Sequence, residues 1–273
     1  MRTVLAQICA DALNAPYEAI QVMETDTTRV PDSGPTEASR TTLMSGNAIL
    51  SACEPIRKRI FETAAEMFGV SAEKIAASDG KFAVSGSEKN YEDVVRECHK
   101  KKLKMTEQGW YASPPTTFND DGQGDAYVTY AYSSNVAEVE VDTDTGEVKL
   151  LKITSAHDLG KVINPTTAEG QIEGGIAQSL GYALIEELVE DDGIIKNPNF
   201  TDYILPSSPD APEYRTILLE HPYPAGPFGA KGVAESPLIG PAPAITNAVR
   251  NAAGVRLKHI PAMPEKIWEA LKK

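Results

Sequence analysis

Apolar positions along the chain change their spacing several times, and each change marks an element. Val4, Ile8 and Leu13 fall roughly on one side of a helix over residues 3–14, and Pro16 then turns the chain into "AIQVMET", whose composition predicts a strand. Next comes "DTTRVPDSGPTEASRTT". Rich in Thr, Ser, Gly and Pro, it predicts irregular backbone that offers many N–H groups and hydroxyls. From Thr41 onward, Ile49, Cys53, Ile56, Ile60, Ala64 and Met67 recur at spacings of three and four, which predicts one long helix that Pro55 kinks or restarts. Residues 70–125 read as mixed structure, with a short helix at "YEDVVRECHK" and a polar connection through "ASPPTTFNDDGQG". The softest boundary is expected there, dividing a first lobe, 1–120, from a second, 121–273, two lobes that can still pack as one domain.

Beyond that connection the period drops to two. In "AEVEVDTDTGEVKLLKI", Val139 and Val141 alternate with Glu138, Glu140 and Asp142, the chain reverses at Asp144-Thr145-Gly146, and Val148 and Leu150 resume the pattern, which predicts a hairpin. "TTAEGQIEGGIAQSLGYALIEEL" returns to helical spacing through Ile172, Ile176, Leu180 and Ala183. Its interior glycines Gly170, Gly174, Gly175 and Gly181 each cost a helix roughly 1 kcal/mol relative to alanine, and close approach of a backbone or a ligand is the natural compensation. A second hairpin is expected at "EDDG" and a strand at "EYRTILLEH". Ile245, Ala248, Val249 and Ala252 predict a buried helix face ended by Gly254, followed by a short C-terminal helix at "PEKIWEALKK". The fold class these elements give is α+β, mixed sheets with helices packed on them.

Composition narrows the function. Of 273 residues 41% are hydrophobic, enough for a substantial core. With 26 Lys+Arg against 39 Asp+Glu the net charge is −13, and no basic block is present to follow a phosphate backbone, so nucleic acid is excluded as an expected partner. No run approaches the roughly 20 apolar residues of a membrane helix, and the first residues lack a signal peptide's apolar segment, so neither a membrane partner nor export is expected; the expectation is a cytoplasmic protein. Cys9, Cys53 and Cys98 are far apart and odd in number, which suggests reduced thiols with neither a disulfide framework nor CxxC metal spacing.

Several stretches offer chemistry, each beside a plainer reading. Residues 25–41, with Thr36, Ser39 and Thr41, suit either an ordinary Ser/Thr-capped loop or an anion cradle at the start of the long helix. "DTDTG" at 142–146 superficially suggests a calcium loop, but glycine occupies a ligand position, the bidentate glutamate is missing and the flanks are strands, so a turn is the better reading. His99, His157, His221 and His259 are scattered without ligand spacing and are assigned structural roles. Gln171 and Gln178, seven residues apart on one helix face, suit either helix–helix hydrogen bonds or a contact with a heteroaromatic ring or oxo group. In "GPFGAKGVAESPLIG", Glu235 ends a glycine-broken stretch just before a helix start, where a carboxylate serves either as a dipole partner or as a catalyst.

Taken together, "VPDSGPTEASRTT", "NVAEVEVDTDTGEVKLLKITSAHDLGKVINP", "GQIEGGIAQSLGYALIEE", "NPNFTDYILP" and "GAKGVAESPLIG", in this order, resemble the C-terminal half of the molybdenum-binding subunit of the xanthine dehydrogenase family. Aldehyde oxidoreductases, carbon monoxide dehydrogenase and nicotinate-type hydroxylases belong to the same family, and the resemblance covers nearly the whole chain. It implies that Glu235, at the end of the GxKGxGE-like motif, is the general base beside molybdenum. It further implies that Gln171 of the GQxEG motif approaches the molybdenum–pterin cofactor, with Thr36, Ala38, Ser39, Thr41 and Gly232 binding the pterin and its phosphates. The metal would be held through the pterin with no direct protein ligand, in the cytosine dinucleotide form usual in bacteria. The implied activity is oxidative hydroxylation of an N-heterocycle or aldehyde with water as oxygen source, and the expected assembly is a hetero-oligomer. Its partners are an N-terminal molybdenum-binding half, a [2Fe–2S] subunit and an FAD subunit, because three cysteines cannot supply the roughly eight thiolates of two such clusters and no dinucleotide-binding GxGxxG is present.

Two departures from the family pattern bear on this reading. Ala234 stands where the family usually has glycine, so a requirement for positive φ there would strain the base's position. The family's Met-Gly-Gln-Gly segment and Phe-Gly-Gly half are not matched, so those contacts are expected from another polypeptide or from the rest of a longer one, and this chain alone is expected to bind the cofactor weakly or not at all. A non-catalytic structural or assembly module that retains the fold is the alternative.

Overall fold

The computed structural model describes residues 1–78 and 80–273. Its compact units are Met1–Thr129 with Pro222–Gly232, and Tyr130–His221 with Val233–Lys273, where composition placed the division at 120/121.

In the first unit, α1 (Arg2–Leu13) turns Ala6, Ile8 and Ala10 inward and closes on Asn14 in the left-handed region, φ 54°. Packed on α1 is α2 (Thr41–Phe68), which buries Leu43, Gly46, Cys53, Ile60 and Ala64 before Gly69, φ 67°, ends it with N–H bonds to the Ala65 and Glu66 carbonyls. No restart occurs at Pro55, which lies inside one uninterrupted helix. Proline removes one bond of the helical ladder, and packing of α1 and of the later helix Tyr91–Lys100 against α2 holds the helix through it. "AIQVMET" is not a strand: Ile20 and Val22 are half-buried, but these residues pair with no neighbour among the described residues. Alternation without a partner strand leaves only extended chain.

Three strands in the mixed region have no counterpart in the sequence reading. β1 (Ala76–Ser78), β2 (Lys81–Val84) and β3 (Ser87–Asn90) form an antiparallel meander. Ser85 and Gly86, at φ 47° and 86°, make the two-residue turn between β2 and β3, the left-handed pair that tight hairpins demand. The following α3 (Tyr91–Lys100) buries Val94 and Cys98. Phe82 is fully buried, edge-on to Phe61 at 5.4 Å and stacked on Tyr91 at 5.9 Å, and these rings close the core formed with Ile60, Ala64, Ile75 and Val94.

In the second unit, β4 (Ser133–Val141) and β5 (Val148–Asp158) form the expected hairpin, with Asp142 Oδ1 accepting from the Asp144 and Thr145 amides and Gly146 at φ 80°. A bulge at Leu151 shifts the inward phase of β5 from Val148 and Leu150 to Ile153, Ser155 and His157. After α4 (Pro165–Leu180), a π-helical turn at Gly181–Ile185 and a small hairpin of β6 (Glu190–Asp191) and β7 (Ile194–Ile195), β8 (Glu213–Leu219) joins β5 in parallel, giving the mixed order β4-β5-β8. The short α5 (Ser236–Ile239), α6 (Pro241–Ala253) and α7 (Pro264–Leu271) complete it. On α6 the inward face is Ala242, Ile245 and Val249, while Ala252 is exposed in the final turn. α4 packs on β8 and α6 packs on β4 and β5, which is the expected α+β arrangement.

His157 belongs to this interior. It is 1% exposed, its Nε2 lies 2.7 Å from Ser155 Oγ, and Ser155 in turn donates to Asn135 Oδ1 at 2.5 Å. Because the hydroxyl proton goes to Asn135, the serine oxygen accepts from His157, which fixes the Nε2–H tautomer of a neutral ring. Burial holds the imidazole below its ordinary pKa. An unfolded histidine takes up its proton near pH 6.5, so the stability held by the neutral ring is intact above about pH 6.5 and is lost as pH falls through the lower folded value. Thermal unfolding followed from pH 7.5 to 5 is expected to show this acid slope in the native chain and a shallower one in His157→Gln; identical slopes would place the sensitivity elsewhere.

Candidate cofactor and catalytic site

In the first unit the loop before α2 is held by its own backbone and by Arg40. The Arg40 guanidinium donates to the Pro35 carbonyl at 2.8 and 3.1 Å and to the Ser33 carbonyl at 3.3 Å, and Gly34 N donates to Asp32 Oδ1 at 2.8 Å. Ala38 and Ser39 follow at φ 49° and 55°, two consecutive non-glycine residues in a region L-residues rarely occupy. Such strain persists only where surrounding contacts enforce it, and it concentrates at functional sites. α2 then starts with neither a side-chain cap nor an acidic residue in its first turn, so no carboxylate there offsets the positive end of a 28-residue helix.

Residues 222–232 are stitched onto that same helix. Asn47 Nδ2 donates to the Ala225 carbonyl at 2.8 Å and to the Leu43 carbonyl at 2.9 Å. A methyl group at Gly46 would fall 2.6 Å from Pro227 Cγ, so glycine there is what lets the segment lie against α2. Gly232 faces Ser39 directly, and a Cβ at Gly232 would collide with the Ser39 carbonyl oxygen. Within the segment, Phe228 at φ 52° precedes Gly229 at φ 89°, which leaves the phenyl ring 42% exposed on a strained backbone.

In the second unit, Glu235 lies on a segment clamped along α4. Val233 packs on Ile172 and Ile176, Pro237 fills the space left by Gly175, Tyr182 Oη donates to the Leu238 carbonyl at 2.6 Å, and Ala242 N donates to Ser179 Oγ at 2.9 Å. The carboxylate between the first two of these anchors is exposed and makes no capping bond to α5. Ala234 lies outside the left-handed region, so the departure from the family glycine carries no φ strain. Gln171, one turn before Gly175, and Gln178 are both exposed. The glycines of α4 and of the turn after it divide in two: Gly175 and Gly181 are crowded by Pro237 and Glu186, whereas a methyl at Gly170 or Gly174 would meet nothing within 4 Å. Gly174→Ala is therefore expected to stabilise the chain by about 0.5–1 kcal/mol, measured by denaturant unfolding, and a destabilised variant would count against this open face.

The structure thus brings Ser39 and Gly232 together in one unit and sets Gln171 and Glu235 along α4 in the other; Thr36 and Ala38 are exposed on the loop and Thr41 is the first residue of α2. Sequence reasoning missed Arg40, Asn47, Ser179 and Tyr182, which position these residues through backbone carbonyls and amides and carry no periodic signal. Phe228 was legible only as an aromatic residue before glycine. Among the described residues no group of three or more His, Cys, Asp or Glu side chains could hold a metal ion, and no helix is long and apolar enough to cross a membrane.

Comparison with known proteins gives a consistent set of relatives. The family described as the molybdopterin cofactor-binding domain matches residues 1–212. The chain is 32% identical to the 6-hydroxypseudooxynicotine dehydrogenase complex subunit gamma of Paenarthrobacter nicotinovorans, across 98% of this chain and 34% of that protein. It is 35% identical to the aldehyde oxidoreductase of Megalodesulfovibrio gigas, across 93% of this chain and 25% of that protein. Among solved structures, quinoline 2-oxidoreductase from Pseudomonas putida 86 superposes with a TM-score of 0.83 at 29% identity, covering 99% of this chain and 35% of that one. The chain therefore spans about a quarter to a third of the length of the relatives it matches.

Proposed function

Because the chain belongs to the molybdopterin cofactor-binding family of the molybdenum hydroxylases, we propose that it is the C-terminal molybdenum-cofactor part of a hydroxylase that oxidises an N-heterocycle or an aldehyde with water as oxygen source. The observation that carries this reading is the clamped segment 233–242, which holds an exposed carboxylate, Glu235, in fixed register along α4.

The residues present fit the cofactor. Gly232 leaves no room for a Cβ against Ser39, Ala38 and Ser39 hold left-handed backbone, and α2 begins free of acidic residues. Thr36, Ala38, Ser39, Thr41 and Gly232 would hold the pterin and its phosphates, in the cytosine dinucleotide form, through hydroxyls and backbone N–H groups. The Gln171 carboxamide can donate and accept toward the ring system, with open space beside Gly170 and Gly174 for its approach. When bound, the molybdenum–pterin group supplies the redox chemistry. Glu235 takes up the proton released as the substrate is hydroxylated, a task that needs an ionised carboxylate within hydrogen-bond reach of the reacting oxygen.

The remaining cofactor contacts would come from the N-terminal molybdenum-binding part, and electrons would leave through [2Fe–2S] and FAD subunits. That relatives are a complex subunit gamma and a molybdenum-binding subunit supports such an assembly. The unstrained Ala234 removes one reason to read the chain as an inactive module. Untagged purification from the native source with mass spectrometry and metal analysis tests the proposal. Near-stoichiometric molybdenum together with the complementary molybdenum-binding part is expected, whereas a chain purified alone and free of molybdenum would overturn it.

A further inference from the structure

Cysteines far apart in sequence meet in the first unit. Cys9 on α1 and Cys53 on α2 place their Sγ atoms 3.8 Å apart, and neither is in a disulfide. Cys53 is buried at 5% exposure, while Cys9 is only partly buried and so remains within reach of a small oxidant. Cys98, on α3, is fully buried and points its thiol at the Arg59 carbonyl, 4.0 Å away. The chain therefore holds one close pair, with one member accessible and the other behind it.

The electrostatics of the pair are unequal. The contact with Cys53 lowers the Cys9 pKa to about 7 against the opposing effect of burial. The same contact holds Cys53 protonated well above the ordinary thiol range, with burial and the Cys9 charge acting in the same direction. Tyr91 lies near them as well, and burial first, then its interactions with the neighbouring cysteines, push its phenol up to about 12, so it stays neutral. A partly ionised outer thiol is the nucleophile and the neutral inner thiol is its reserve of reducing equivalents.

We propose that Cys9 and Cys53 form a reversible thiol-oxidation site, in which a hydroperoxide oxidises Cys9 and Cys53 resolves it into a disulfide that pins α1 to α2. The Cys9 thiolate attacks the terminal oxygen of the hydroperoxide: an S–O bond forms, the O–O bond breaks, and the departing alkoxide or hydroxide takes up a proton. Cys53 sulfur then attacks the sulfenic sulfur, forming S–S and breaking S–O, and its thiol proton leaves with the hydroxide as water. Overall two thiols lose two electrons and two protons, and the hydroperoxide becomes an alcohol or water. Closing the pair from 3.8 Å to the roughly 2.05 Å of a disulfide needs side-chain rotation at both residues. α2 is also the helix on which Gly46 and Asn47 hold residues 222–232. Oxidation thus stiffens the support of the cofactor loop.

The test is peptide mapping of the full chain after graded hydrogen peroxide, under non-reducing conditions. A Cys9–Cys53 disulfide is expected, with Cys98 still open to alkylation after unfolding, reversal by a thiol reductant, and an unfolding midpoint higher by on the order of 5 °C in the oxidised form. Cys98→Ser is expected to give the same map. Cys53→Ser is expected to accumulate a Cys9 sulfenic acid that dimedone traps. If the native chain instead oxidises first at Cys98, links between chains, or carries Cys9 to sulfinic acid while Cys53 stays alkylatable, the proposal fails. The native chain alone decides this, so a poorly folding variant does not leave it open.

Discussion

Replacing Glu235 by glutamine in the assembled enzyme is expected to lower kcat and kcat/KM together by at least roughly a hundredfold while molybdenum content stays unchanged. The amide matches the carboxylate in shape, so the anchors around it are undisturbed: Val233 still packs on Ile172 and Ile176, and Pro237 still fills the space beside Gly175. What the amide lacks is a basic oxygen. Losing an interaction made only as the proton moves destabilises the transition state and leaves substrate binding alone, hence the parallel fall of both parameters. Steady-state kinetics with metal analysis on the same sample reads the result. Turnover at the native level would remove Glu235 from the chemistry, and loss of molybdenum along with activity would make it a residue that holds the site together.

Gly232→Ala is expected to reduce cofactor occupancy about tenfold, equivalent to 1.4 kcal/mol, and to destabilise the chain by about 1–3 kcal/mol. The reason is steric. Gly232 does not hold a left-handed φ, so alanine suits its backbone, but the added carbon meets the Ser39 carbonyl oxygen. That carbonyl belongs to a residue already strained at φ 55°, on a loop that Arg40 braces through Pro35 and Ser33. The loop must therefore move, and its N–H groups move with it. For the stability effect alone, Gly174→Ala gives the comparison, because it adds the same carbon where no protein atom lies within 4 Å. Equal molybdenum content in native and Gly232→Ala protein would show that the contact with Ser39 plays no part in holding the cofactor.

Long periodic segments were legible in the sequence and short or partner-dependent ones were not. α2, α4 and α6 follow from apolar spacing because each buries one stripe, and the β4–β5 hairpin follows from alternation joined to an Asp-Gly-type turn. β1, β2 and β3 escaped notice because three or four residues are too few to show a period, although Ser85-Gly86 is a turn signal that could have found them. The opposite error at "AIQVMET" arose because strand-forming composition says nothing of a neighbouring strand to pair with. In the site, Glu235 and Gln171 stood out through motifs. Their supports did not, because Asn47, Ser179 and Tyr182 act on the backbone of segments roughly 55 or more residues away in sequence, a distance over which spacing carries no information.

The return of residues 222–232 to the first unit has a practical consequence for dissecting this protein. That unit is discontinuous in the chain, so no single cut liberates it. A fragment ending at Thr129 would leave Asn47 without the Ala225 carbonyl and Gly46 without Pro227, with bare notches in α2 where a second piece of chain should lie. Proteolytic nicking between the two pieces would give halves that stay associated through those notches, and a soluble version of the unit would need residues 222–232 supplied as a peptide or rejoined by circular permutation.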